Sequence, residues 1–141
     1  MKRRRVGGSG LSVGRLGLGT MTWGSDVDVE TARGLLRVLV DAGGDLVDTA
    51  PAYGGGRAEE LIGRHMRSDL RRDDLVIATK AGFGVRGGQQ GIDTSRRAML
   101  DDLVGSLRRL RTDHVDIWQV HAWGRAPLEE TLAALDQAVN S

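Results

Sequence analysis

Short apolar runs alternate with amphipathic stretches along this chain, and that alternation restricts its fold more than any other feature. Leu46–Thr49 reads as a strand. It is followed by a helical stretch over about Arg57–Ser68, with Leu61, Ile62 and Met66 as its apolar stripe. Glu59 and Glu60 stand in its first turn, where the helix dipole favours them. Leu75–Lys80, in "DDLVIATK", shows no period-two alternation, as befits a parallel strand covered on both faces. Thr94 or Asp93 is expected to cap a helix running to about Leu110, with Leu100, Leu103, Leu107 and Leu110 at helical steps. His114–His121 reads as the next strand and "PLEETLAALDQAV" as the next helix, Pro127 sitting near its first turn. Upstream, Arg4–Val13 predicts a hairpin, Arg15–Gly19 a strand, and Asp28 the N-cap of a helix to about Ala42. Gly82–Ile92, rich in glycine and glutamine, reads as a loop.

A hairpin followed by four strand-then-helix units argues for parallel strands joined by right-handed crossovers. A full (β/α)8 TIM barrel takes ~250 residues. The 141 residues here therefore fit the hairpin plus the first four β/α units, half of such a barrel, as a single domain. The competing reading is a small open doubly wound sheet, although "GLGTMTWG" lacks the glycine spacing of its usual first turn. A four-strand arc leaves its first and last strands open, and unprotected edges invite pairing with another chain, so self-association is expected of it.

Composition narrows the chemistry. Cysteine is absent, which removes disulfides and thiolate metal sites, and His65, His114 and His121 have no ligand spacing, so no metal is expected. No apolar run approaches the ~20 residues of a membrane span, and a soluble cytoplasmic protein without membrane contact is the expectation. Net charge is +1 and the arginines are interleaved with acids, so no nucleic-acid footprint is present. Among 20 basic residues only Lys2 and Lys80 are lysines. Lysine is a compact point charge with an adjustable pKa, and Lys80 closes a buried run, where an unpaired ammonium is costly.

In α/β folds, chemistry gathers at the C-terminal ends of the strands. Those ends are Gly19-Thr20-Met21, Asp48, Lys80 and His121, with Tyr53, the one tyrosine, just past the second. Asp48 is the natural carboxylate partner for Lys80. A tyrosine, ordinarily titrating near ~10, exchanges protons at neutral pH only when a nearby cation favours its phenolate. Lys80 is positioned to be that cation, and His121 to orient a substrate oxygen. The set reads as an acid/base site for carbonyl–alcohol interconversion with tyrosine as the proton donor. Each residue alone has a plainer structural explanation, as a cap, a packing ring or a hydrogen-bonded strand end. Four on one face make that set of explanations improbable.

This series resembles the aldo-keto reductase family. "DTAPAYGGGRAEELIG" is similar to the family's Asp-Thr-Ala, Tyr-Gly and Glu-x-x-x-Gly signature, and "GLGTMTWG", "VIATKAGFG", "SLRRLRTDHVDIWQVHAW" and "PLEETLAALDQAV" look like its successive segments in order. The resemblance implies reduction of an aldehyde or ketone by NADPH, with Tyr53 as general acid, Lys80 and Asp48 tuning it, and His121 orienting the substrate. It places Thr20, Met21 and Asp48 near the nicotinamide ribose, and Trp23 and Trp123 at the substrate rim. Gly124-Arg125 departs from the acidic residue relatives often carry after His-x-Trp. The family pattern continues into a fifth strand, and this chain is expected to be truncated before it, with weak NADPH binding as a consequence. A non-catalytic regulatory or binding subunit, as in potassium-channel β-subunits, and a self-associating half barrel without activity remain as alternatives.

Overall fold

A computed structural model describes residues 1–86 and 88–140. Its elements are β1 (Arg3–Arg5), β2 (Ser12–Gly14), β3 (Leu18–Gly19), α1 (Val29–Asp41), β4 (Leu46–Asp48), α2 (Arg57–Ser68), β5 (Val76–Ala81), β6 (Phe83–Arg86), β7 (Gln89–Ile92), α3 (Arg96–Leu110), β8 (Ile117–Val120) and α4 (Leu128–Val139). One-turn helices cover Tyr53–Gly56 and Arg72–Asp74.

The central sheet is parallel, in the order β3-β4-β5-β8, and each crossover carries a helix. It is an arc rather than a closed barrel, with β3 and β8 as its outer strands. The helices cover one face. Trp23, Leu36, Val47, Ile62, Ile77 and Leu110 form the main core there, and Ala81, Met99 and Ala134 a smaller one. The β1–β2 hairpin is tied to the start of β4, where Gly14 N and Arg3 Nη2 donate to the Asp45 carboxylate at 2.8 and 2.6 Å. That is the N-terminal end of the strands, opposite Asp48 and Lys80.

Helix starts follow local rules. Asp28 caps α1 by accepting Thr31 N at 2.8 Å, and the acidic first turn of α2 matches its dipole. Three expectations need correction. The strands are shorter than their apolar runs, Leu18–Gly19 rather than Arg15–Gly19 and Ile117–Val120 rather than His114–His121, because the outer strands of the arc pair on one side only. Gly82–Ile92 is not a loop. It holds the antiparallel hairpin β6–β7, with Phe83 opposite Ile92 and Arg86 opposite Gln89. Finally, Ser95, not Thr94 or Asp93, caps α3, its hydroxyl accepting Ala98 N. Thr94 is drawn instead into the seam with α4, where its carbonyl accepts the Thr131 hydroxyl at 2.9 Å.

Candidate active site

Parallel pairing aligns the strand ends, and backbone hydrogen bonds continue one step past them. Thr20 N donates to Asp48 O, Thr49 N to Ala78 O and His121 N to Ala81 O, at 2.9–3.0 Å. Residues from four distant segments are thereby held in one row. Within β5 side chains alternate. Thr79 and Ala81 face the helices, while Lys80 turns to the other face, at the mouth of the arc.

Lys80 is the hub. Its Nζ donates to both Asp48 oxygens at 2.8 Å, to Thr49 O at 2.9 Å and to Tyr53 Oη at 3.2 Å. The Lys80 side chain is only 13% exposed, and this carboxylate and carbonyl cradle offsets the desolvation of its ammonium. Tyr53 reaches it from the one-turn helix after β4. Gly54, Gly55 and Gly56 follow, all at positive φ, a path open to glycine at little cost. The Lys80 nitrogen also lies 4.9 Å from the centre of the Tyr53 ring.

His121 closes the group. Its ring meets the Tyr53 ring edge-on at 5.9 Å and the Phe83 ring at 5.2 Å. Burial first, and then the Lys80 charge, hold its imidazole below the ordinary histidine value, with Asp48 partly opposing. The neutral ring is thus favoured. Its Nδ1 is buried without a hydrogen-bond partner. Beside it lies a cavity of about 380 Å³ lined by His121, Trp123, Leu128 and Leu132 among others.

The structure brings Asp48, Tyr53, Lys80 and His121 together. It sorts the outer residues less evenly. Thr20 is fully buried, its hydroxyl donating to Asp48 O at 3.0 Å, and Met21 beside it is 68% exposed. Trp123 is 80% exposed at the cavity edge. Trp23 is 1% exposed and packs in the main core, which corrects its placement at a substrate rim. It shares that core with Leu36 of α1, Val47 of β4 and Ile62 of α2, and aromatic area of that size stabilises the fold when buried. Phe83, which meets the His121 ring, lies in a glycine-rich segment where the sequence carries no signal for it. Among the described residues no cluster of histidines and carboxylates could hold a metal ion, and no helix is long and apolar enough to cross a membrane.

A parallel α/β arc with an Asp–Lys–Tyr–His cluster at its strand ends is an arrangement chemically capable of moving a proton to a bound oxygen. The family model for the aldo/keto reductase family matches residues 15–141, and the chain belongs to that family. It is 33% identical to aldo-keto reductase YhdN of Bacillus subtilis, over 97% of this chain and 43% of that protein. It is 39% identical to a probable voltage-gated potassium channel subunit beta of Oryza sativa subsp. japonica, over 99% of the chain and 43% of the relative. Among solved structures, the holo form of aldo-keto reductase AKR11C1 from Bacillus halodurans superposes with a TM-score of 0.90 at 33% identity, covering 99% of this chain and 47% of that one. The chain spans about half the length of the (β/α)8 barrels it matches.

Proposed function

We propose that this chain carries the proton-donating part of a nicotinamide-dependent carbonyl reduction site. One observation carries the reading: the Lys80 ammonium, pinned by both Asp48 oxygens at 2.8 Å, touches the Tyr53 hydroxyl at 3.2 Å. A cation at that distance faces the negative charge that develops on the oxygen during proton transfer. Tyr53 gives its proton to the oxygen of an aldehyde or ketone. Neutral His121 donates a hydrogen bond to the same oxygen and orients it, without competing as the acid. Phe83 and Trp123 flank the approach.

The cofactor is NADPH, which supplies the hydride to the carbonyl carbon. The residues present fit its nicotinamide end. The Asp48 side chain is 42% exposed, so its oxygens remain open to ribose hydroxyls, and Met21 offers apolar surface on the same face, braced by buried Thr20. The test is oxidation of NADPH with benzaldehyde by the full-length protein. Tyr53→Phe is expected to abolish turnover while the dissociation constant for NADPH stays within about twofold. Turnover that survives the substitution sinks the assignment of the acid.

A second reading, a regulatory subunit on the same scaffold, draws on the 39% identity to the rice protein named as a probable channel subunit. It expects the Tyr53→Phe variant to keep full partner binding, measured by co-sedimentation with a channel tetramer.

A further inference from the structure

Directly behind Lys80 lies a second polar group that the proton-transfer scheme does not use. Glu59, in the first turn of α2, is fully buried. Its Oε1 accepts the Thr79 hydroxyl at 2.6 Å, and its Oε2 accepts Arg109 Nε of α3 at 2.7 Å. Thr79 immediately precedes Lys80 in β5, and Glu59 lies six residues beyond Tyr53.

Arg109 does more than neutralise that carboxylate. A Cβ placed on Gly56 would lie 2.7 Å from Arg109 Cδ, so the arginine stem packs directly on the backbone of the glycine turn that carries Tyr53. Gly54, Gly55 and Gly56 bring no side chain of their own to hold that turn, and glycine is the most conformationally free residue. The turn is therefore fixed from outside. Strand β5 and the Tyr53 turn are joined twice, by Lys80 to Tyr53 on the open face and by Thr79, Glu59 and Arg109 on the helix face.

We propose that Arg109, aimed by Glu59, is the positioning residue that sets the Tyr53 hydroxyl over Lys80. This rests on the reading of Tyr53 as the acid. A purely structural clamp between α2 and α3 would alter stability alone, whereas a positioning clamp alters kcat in molecules that remain folded.

The experiment compares two variants in the full-length protein with benzaldehyde and NADPH. Glu59→Gln combined with Arg109→Met removes both charges together while keeping the packing and an acceptor for Thr79. Gly56→Ala leaves both charges but puts a Cβ where the arginine stem lies, at a φ of +96°. Both are expected to lose about 100-fold in kcat, the scale of a ~1 Å misplacement, with KM and NADPH affinity within about twofold. The ring signal of isotope-labelled Tyr53, the one tyrosine in the chain, is expected to shift in both. Leu39→Ala, a core truncation in α1, serves as the control that weakens the fold and leaves kcat per folded molecule unchanged. The proposal is overturned if the folded double variant keeps kcat within about twofold and its tyrosine signal does not move, or if activity falls only in step with the folded fraction. Tyr53→Phe separates the two ideas. Turnover surviving in it removes the acid assignment and this proposal with it, while turnover lost there but kept in the double variant removes the positioning role alone.

Discussion

Consecutive residues of β5 anchor two trios of the same make-up. Lys80 joins Asp48 and Tyr53 on one face, and Thr79 joins Glu59 and Arg109 on the other. Each trio has a cation, a carboxylate and a hydroxyl. What separates them is access. The Asp48 side chain is 42% exposed, whereas Glu59 is completely enclosed. An enclosed carboxylate with every partner in place is a fastener, and an open one beside a hydroxyl still has something to bind. Residue type therefore says little about which trio is open to a ligand. The side of the sheet decides.

Damage placed on one face and then on the other tells the two trios apart. Lys80→Met is expected to cut carbonyl reduction by ~10³-fold, in the range of a lost acid/base function, with little effect on unfolding because Asp48 can be hydrated. Glu59→Ala is expected to strike stability as well as kcat, lowering stability by about 3 kcal/mol in urea denaturation, the low end for an orphaned partner of a buried pair. If Glu59→Ala proves neutral in denaturation, the enclosed trio is not a fastener and the contrast fails.

A smaller effect tests the seam that holds the second trio. A Cβ on Gly63 would lie 2.4 Å from Arg109 O and 2.6 Å from Leu110 O, so α2 and α3 meet there backbone to backbone. Gly63→Ala is expected to cost about 2–3 kcal/mol by thermal unfolding, at the upper end for overpacking, since backbone cannot yield as a side chain can.

The smallest effects are in pH. The folded state holds His121 below 6.5, so the native protein resists a proton the unfolded chain accepts. Its contribution to stability is complete above about 6.5 and fades as pH falls. His121→Gln is expected to flatten that part of a stability-against-pH curve. Asp69 acts lower down. The Ser68 hydroxyl first, and His65 and Arg33 after it, outweigh burial and hold its carboxyl well below the usual 3.8. That contribution is present above about 4 and is lost below it, and Asp69→Asn is expected to remove the second step.

Much of the site was legible before any coordinates. Asp48, Tyr53, Lys80 and His121 stand at the ends of periodic segments, and parallel pairing must bring such ends to one side. The helices Val29–Asp41 and Arg57–Ser68 were equally legible, because a capping aspartate, an apolar stripe and acidic first turns are local signals. The hairpin over Phe83–Ile92 was less so. Its strands are short and glycine-rich, and they are held by pairing with each other rather than by an apolar face. Trp23 went astray for a different reason. A tryptophan after a strand end suits a binding rim and a core equally, and only the packing of α1 and α2 around it settles the matter.

Periodicity and chirality, which act over a few residues, suffice for the succession of the four strand–helix units, the parallel sense of the sheet and the row of polar residues at its ends. Tertiary structure alone decided which carboxylate stays open and which is enclosed. Glu59 and Glu60 are neighbours in one helical turn with the same local preference, yet Glu59 is buried against Thr79 and Arg109 while Glu60 is exposed. The difference is the arrival of α3, some 50 residues later in the chain, and a local signal cannot carry information about a partner that far away.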